Sequence, residues 1–290
     1  MNIFALAANA TLAASLHCDV HVIKMLLEST QILYAALHLR GIPVIGEGYA
    51  VTHKNHPCVL WAAGCRAHFR WVLDLAQALC AEYTMRAFER QRTYKTHACE
   101  PHLARIRLAM AEAINARSRS QIDPPVDPVD FPEQITAANW LGWIADTLNL
   151  NHQACIEMVG RVATCNPLDG CLFGVLCVEP NPTWGPKLAP EAHAEAKRAL
   201  TRRCAVTSDI DLVASYRLYY AKKAKSDFAF TWGGAATPPP PLRSAWAEHR
   251  PDCPPITLAE QRAAESARRA EKKRKAADEP AAAAAAAAAS

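Results

Sequence analysis

Apolar residues recur at helical spacing over most of the first half of the chain. Ile3 to Leu6 is a short apolar run that predicts a strand-like start, followed by small residues and a helix from about Thr11 or Asp19 to His38. Gly41 and Pro43 end that helix. A Gly-rich connection over 41–52 leads to a second helix beginning at Pro57, where a missing N–H does no harm, with Asn55 or His56 as its cap. Trp61, Cys65, His68, Val72, Leu75, Leu79 and Tyr83 recur at steps of three, four or seven, which predicts one helix from Pro57 to about Phe88.

Further on, residues 101–118 and Trp140 to Leu150 read as helices, separated by a Pro/Asp linker from Pro124 to Pro132. The pattern loosens over 151–207, where Cys165, Cys171 and Cys177 sit among Pro and Gly before an Ala-rich basic helix from about Pro190 to Arg203. Ser208 with Asp211 makes a capping box that opens a helix to about Asp227. Gly233, Gly234 and four prolines close the folded part. Beyond about 257 a basic helix-prone stretch leads to nine alanines before Ser290, low-complexity sequence that has no place in a core. The expected fold is mainly α: a compact helical domain with an irregular insertion and a disordered basic, Ala-rich C-terminal tail. Its expected parts are an N-terminal helical catalytic part (1–104), an insertion (105–207), a C-terminal core helix (208–235), and a linker with the tail (236–290).

The composition of the 290 residues, 51% hydrophobic, 21% charged and 7% aromatic, excludes fully disordered, collagenous and coiled-coil chains. No apolar run reaches the roughly 18 to 20 residues a membrane helix needs, so a soluble protein without a membrane partner is expected. Eleven cysteines at irregular spacing read as reduced, buried, small apolar residues, which places the chain inside a reducing compartment, cytosol or nucleus. Phe4 to Ala14 lacks a basic flank and contains Asn9, so it does not read as a secretion signal. Net charge is only +4, but the positives cluster at 86–107, 197–203, 217–225 and 262–275, where local patches can hold phosphate.

Three constellations carry candidate chemistry. His17, His21, Lys24, Glu28, Gln31 and His38 follow a four-three spacing that sets them on one narrow stripe, with Val20, Val22, Ile23, Met25, Leu26 and Leu27 on either side. Such a stripe is a polar groove if both flanks are packed, and an ordinary solvent face if they are not. Thr52 to Cys58 sets His53, Lys54, Asn55 and His56 at a helix start, whose free N–H groups suit a phosphate; Arg66 extends that basic surface. His53 and His56 with His21 or a cysteine could ligate a metal, but no second ligand pair at a zinc spacing accompanies them, so no metal or other cofactor is expected. The stretch Asp211 to Lys225 combines Tyr216, Arg217, Tyr219, Tyr220 and Lys222, with Lys95 and His97 as companions. It suits phosphate contacts and base stacking, or core packing of the tyrosines.

The ordered set Met1-Asn2-Ile3-Phe4, Cys18 to Met25 with Glu28 and Gln31, Asn55-His56-Pro57-Cys58 with Trp61, Glu82-Tyr83 with Arg86, and Tyr216 to Tyr220 resembles a family of phage and large-virus proteins described as pyrimidine-dimer DNA glycosylases. The resemblance covers roughly residues 1–97 and 208–232. More distantly, Asp19, His21 and Glu28 are similar to the motif of the phage endonuclease V type of pyrimidine-dimer glycosylase, an all-helical fold. In that family the α-amine at the chain start attacks the sugar C1′, and a glutamate supports the cationic transition state and the later β-elimination. The resemblance thus implies Glu28 as the carboxylate. Asn2 is too large for efficient removal of the first methionine, so the implied amine is that of Met1, with Lys24, one turn before Glu28, as the alternative. The family's arginine pair has no counterpart, leaving Lys24, His21 and the Asn55–His56 loop as substitutes. An α-amine with an ordinary pKa near 8 is partly neutral and nucleophilic at neutral pH.

The expected function is therefore a glycosylase/AP-lyase acting on damaged or modified duplex DNA, with Met1, His21, Lys24 and Glu28 in catalysis and His53, Asn55, His56, Arg66, Lys95, Arg217 and Lys222 on the nucleic acid. A base-modifying transferase on viral DNA uses the same groove with a second substrate. A non-enzymatic DNA-binding protein needs only the basic helices. Arg268-Arg269 with Lys272 to Lys275 reads as a nuclear-localisation or nucleic-acid-binding run, implying a host nucleus, or as a solvated basic helix.

Overall fold

The computed structural model describes residues 1–120, 131–159, 161–163, 173–177, 200–205, 209–223, 230–235, 237–249 and the single positions 263, 266 and 270. The Ala-rich tail, the Arg and Lys residues of its basic run, residues 190–199 of the expected helix and Ser208 of the expected capping box lie outside them; residues 200–203, the expected end of that helix, are not helical, and Arg203 instead bridges Ile210. The chain is mainly helical, as expected. Its elements in order are α1 (Ala10–Leu16), α2 (Asp19–Leu39), α3 (Pro57–Gly64), α4 (Arg66–Gln91), α5 (Glu100–Ser120), α6 (Ala137–Leu148), α7 (His152–Val159), β1 (Arg161–Ala163), β2 (Gly174–Leu176), α8 (Leu212–Lys223) and α9 (Pro240–His249). The two short strands pair antiparallel, with Val162 opposite Val175.

The centre is α2 packed against α4, with α1 and α3 on either side and α8 resting on β2 and α9. Asn9 caps α1 by accepting the Leu12 N–H at 2.9 Å. His17 and Cys18 are extended, so of the two expected starts, Thr11 and Asp19, the second opens α2, and a separate α1 precedes it across a bend. The bend is held by Arg86 of α4, whose guanidinium donates to the carbonyls of Ser15 and His17. Gly41, at φ +65°, turns the chain out of α2, a conformation a side chain disfavours.

The single helix expected from Pro57 to Phe88 is also two, because Cys65 is extended between α3 and α4. Two neighbours cause the break. Arg66 and Ala67 donate their free N–H groups to the carbonyls of Pro132 and Glu133. At Gly64 a Cβ would stand 2.6 Å from the Trp140 ring, so the indole occupies the space a side chain would need. Apolar spacing continues across the break, as Phe69, Val72, Leu75, Ala76 and Leu79 are all buried.

Ile3 to Leu6 forms no strand. The segment is buried and irregular, with the Leu6 N–H turned back onto the Phe4 carbonyl at 2.9 Å; Arg217 donates to the Leu6 carbonyl at 2.7 Å and, just beyond, Trp71 to that of Ala8 at 2.8 Å. Phe4 sits among the rings of His17, His21, Tyr216, Tyr219 and Tyr220. Burying Phe4 and Leu6 contributes roughly 2 to 3 kcal/mol per side chain, which anchors the start of the chain. Among the described residues no helix is long and apolar enough to cross a membrane.

Candidate functional site

The anchored segment delivers its first two residues to the outer face of α2. There the Asn2 N–H donates to Glu28 Oε2 at 2.7 Å, and the Met1 α-ammonium lies 3.9 Å from the same oxygen. Lys24, one turn earlier, sets Nζ 3.6 Å from Glu28 Oε1. The Glu28 side chain is 14% exposed and that of Lys24 58%, so the carboxylate is mostly covered and the ammonium stands in water. One carboxylate thus lies within 4 Å of two amines.

Asn2 locks this arrangement. Its Nδ2 donates to the Cys177 carbonyl at 2.9 Å, and its Oδ1 accepts the Ile3 N–H at 2.8 Å. The Cys58 thiol, in the first turn of α3, lies 3.7 Å from Asn2 Oδ1 and 3.6 Å from Cys177 Sγ. Burial pushes the Cys58 thiol well above its ordinary pKa, so it is a neutral packing group. Through Cys58, the loop 52–58 lies beside the chain start. His56 caps α3 by accepting the Cys58 N–H at 3.2 Å, while His53, at φ +54°, and Asn55 are exposed.

His21 does not join this centre. It is buried in an aromatic cage of Phe4, Tyr220 and Phe230, with Nδ1 2.9 Å from the Tyr220 hydroxyl. That hydroxyl accepts the Cys18 N–H at 2.8 Å, leaving its own proton for the imidazole. His17 belongs to the end of α1 and is wholly buried; it donates to the Ala13 carbonyl, and burial lowers its pKa to about 4. The expected stripe therefore divides, with His17 and His21 in the core, Lys24, Glu28 and Gln31 at the surface, and His38 exposed at the far end of α2. Of its apolar flanks, Val22, Met25 and Leu26 are packed, while Val20, Ile23 and Leu27 face solvent.

The basic candidates are dispersed. Arg66 Nε is 3.1 Å from Glu133 Oε2, close enough for charge attraction but not aligned as a hydrogen bond, and Arg70 shares that carboxylate. Arg217 is committed to the Leu6 carbonyl. Lys95 is exposed between α4 and α5, where His97 packs edge-on to Tyr83 instead of joining α8. Lys222 is half-buried on α8. The tyrosines of α8 are core: Tyr216, Tyr219 and Tyr220 are buried, and the Tyr216 hydroxyl donates to the Val175 carbonyl and accepts the Cys177 N–H. They are not available to stack on bases.

Sequence spacing did not reveal the role of Asp19. Its carboxylate takes Thr231 Oγ1 at 2.8 Å and the Gly233 and Gly234 N–H groups at 2.9 and 3.1 Å, and it pairs with Arg86. Burial raises its pKa, but these donors outweigh burial and hold it below the usual range. The Gly233-Gly234 pair in the sequence was the available signal for that cradle. Among the described residues no three His, Cys, Asp or Glu side chains gather in a way that would hold a metal ion. Two open grooves along α4, one lined by Asn9 and Asp74 and one by Met85, Phe88 and Tyr94, contain neither Glu28 nor Lys24. Comparison with family models, curated proteins and solved structures finds no match to this chain.

Proposed function

We propose that the chain is a DNA glycosylase/lyase of the pyrimidine-dimer type, working at Glu28 with the amine of Met1 or Lys24. The observation that carries this reading is the single, partly exposed carboxylate within 4 Å of both amines, beside a buried chain start. In the neutral form the amine attacks C1′ as the bond to the base breaks and the base leaves with the electron pair and a proton. The C1′–O4′ bond of the resulting aminal then breaks as the nitrogen lone pair forms the imine, with O4′ taking up a proton from solvent; the protonated imine loses a C2′ proton to Glu28, and the 3′ phosphate departs with its electron pair by β-elimination. A carboxylate beside the reacting carbon also stabilises the cationic character that develops there. Exposed His53, Lys54 and Asn55, on the loop beside Asn2, supply phosphate contacts. The partner on this reading is damaged or modified duplex DNA, and the host nucleus is the compartment that the basic run 268–275 would serve.

The test is borohydride trapping on duplexes carrying a thymine dimer, an abasic site or no lesion. A lesion-dependent covalent adduct, lost in Glu28→Gln, is expected. Salt-sensitive DNA binding with no adduct and no strand cleavage would overturn the reading in favour of a transferase or a binding protein.

A further inference from the structure

We infer that Val20, Ile23 and Leu27 form the edge that holds one opened base step of a DNA duplex beside Glu28; this rests on the glycosylase/lyase reading. The three residues are 40%, 47% and 38% exposed and are spaced three and four apart, so they line one face of α2. The outward face of a surface helix is normally polar. Here its exposed polar member is Lys24, with Glu28 and Gln31 more covered beside it; Val20, Lys24 and Glu28 follow one row along the helix, and Ile23 and Leu27 the row next to it. An aliphatic edge is thus continuous with the candidate centre.

Size argues for the occupant. Three side chains at this exposure offer an area on the order of 200 Å², far below the roughly 800 Å² per partner of a stable protein interface. It is comparable to the flat face of a nucleobase. Lys24 lies between Ile23 and Leu27 and can take a phosphate of the strand whose base step has opened. The chemistry has the matching requirement. An amine held against α2 reaches C1′ only if the nucleotide leaves the stack, and apolar side chains placed at the gap lower the cost of keeping the step open. Branched aliphatic residues on a helix have few rotamers to lose, which suits them to fill such a gap.

The test compares the full-length chain with the double variant Ile23→Ser, Leu27→Ser, after circular dichroism and thermal melting show that the variant keeps the fold. Two readouts are taken. One is the single-turnover trapping rate on an abasic site in duplex and in the same strand alone. The other is the fluorescence of a purine analogue placed next to that site. The expected result is a loss of roughly tenfold or more on duplex, little change on the single strand, and a rise in fluorescence on binding that the variant abolishes. Equal loss on both substrates, no loss on either, or fluorescence rising equally with the variant overturns the inference and leaves the chemistry standing. If the unaltered chain traps nothing but still raises the fluorescence, and the double variant does not, the chemistry fails and the edge stands. If the unaltered chain is a dimer that the double variant dissolves, the edge is a contact between copies and the inference is wrong.

Discussion

Arg86 Nη1 stands 3.0 Å from Asp19 Oδ1, and both side chains are buried. Arg86 also bonds Glu82 and two carbonyls at the bend before α2, while Asp19 holds the Thr231 to Gly234 turn. The pair therefore joins α4, the α1–α2 bend and the chain after α8 at one point.

Arg86→Ala leaves a carboxylate buried with its main charge partner gone. Breaking one side of a buried ion pair costs about 3 to 5 kcal/mol, so the urea midpoint of Arg86→Ala is expected to fall by that equivalent. Lys24→Ala, which removes an exposed partner, should shift it by under about 1 kcal/mol. Similar midpoints for the two variants would contradict the central role given to Arg86.

The buried imidazoles give a defined pH dependence. Burial lowers His17 and His68 from 6.5 to about 4, against the opposing pull of the carbonyls of Ala13 and Trp61 to which they donate. Between these values the unfolded chain binds protons that the folded chain does not, so stability is full above pH 6.5 and falls as the pH falls towards 4. The whole loss is about 3 kcal/mol per histidine. Asp19, held below its usual range, adds a further loss only at lower pH, as the pH falls through its folded-state value. The uptake of protons on unfolding from these two imidazoles should rise from about one at pH 6.5 to nearly two at pH 5, and His68→Phe should halve it. A flat midpoint over that window would mean that the imidazoles are not buried neutral.

Thiol labelling tests the packing around Asn2. The thiolate is the reactive form, and burial pushes Cys18 up to about 11 and Cys58 well above its ordinary value. Mass-mapped alkylation at pH 8 is expected to leave both unmodified in the native protein and to modify both in urea. Native labelling of Cys58 would place that thiol in solvent, incompatible with its position against Asn2 and Cys177.

Much of this fold was legible in the sequence, and the parts that were not share a cause. Pro57 with His56 marked the start of α3, Gly41 with Pro43 the end of α2, and the four-residue step from Lys24 to Glu28 put both on one face. The break at Cys65 was not legible, and at His17–Cys18 the spacing left Thr11 and Asp19 both open as the helix start. Periodicity reports which side chains are buried, and burial continues across both breaks, while the groups that make them come from Arg86, Pro132, Glu133 and Trp140. His21 read as a site residue because spacing sets it in line with Glu28; Phe4, Tyr220 and Phe230, distant in sequence, cover it. For the same reason nothing in the local pattern marked Asn2 as the clamp of the chain start, since its partners are Glu28, Cys58 and Cys177. Val20, Ile23 and Leu27 read as a packed flank, and only their exposure distinguishes them from Met25 and Leu26.

The two amines at Glu28 can be separated by what holds each in place. The Asn2 amide bonds the carboxylate directly and its side chain is fixed at two further points, so the Met1 amine has little freedom around Glu28 Oε2. Lys24 sits on a flexible stem that is mostly exposed, and ordering it costs side-chain entropy of up to about 2 kcal/mol. The Met1 amine is the better held of the two. Lys24→Ala is therefore expected to keep the borohydride adduct with a rate loss of only a few fold. Two residues added before Met1 should abolish the adduct while circular dichroism shows the fold kept, because the Asn2 anchors do not involve the α-amine. The first residue of each preparation is defined by mass spectrometry. An adduct that survives the extension and disappears in Lys24→Ala would assign the chemistry to Lys24, and peptide mapping of the trapped species decides between them directly.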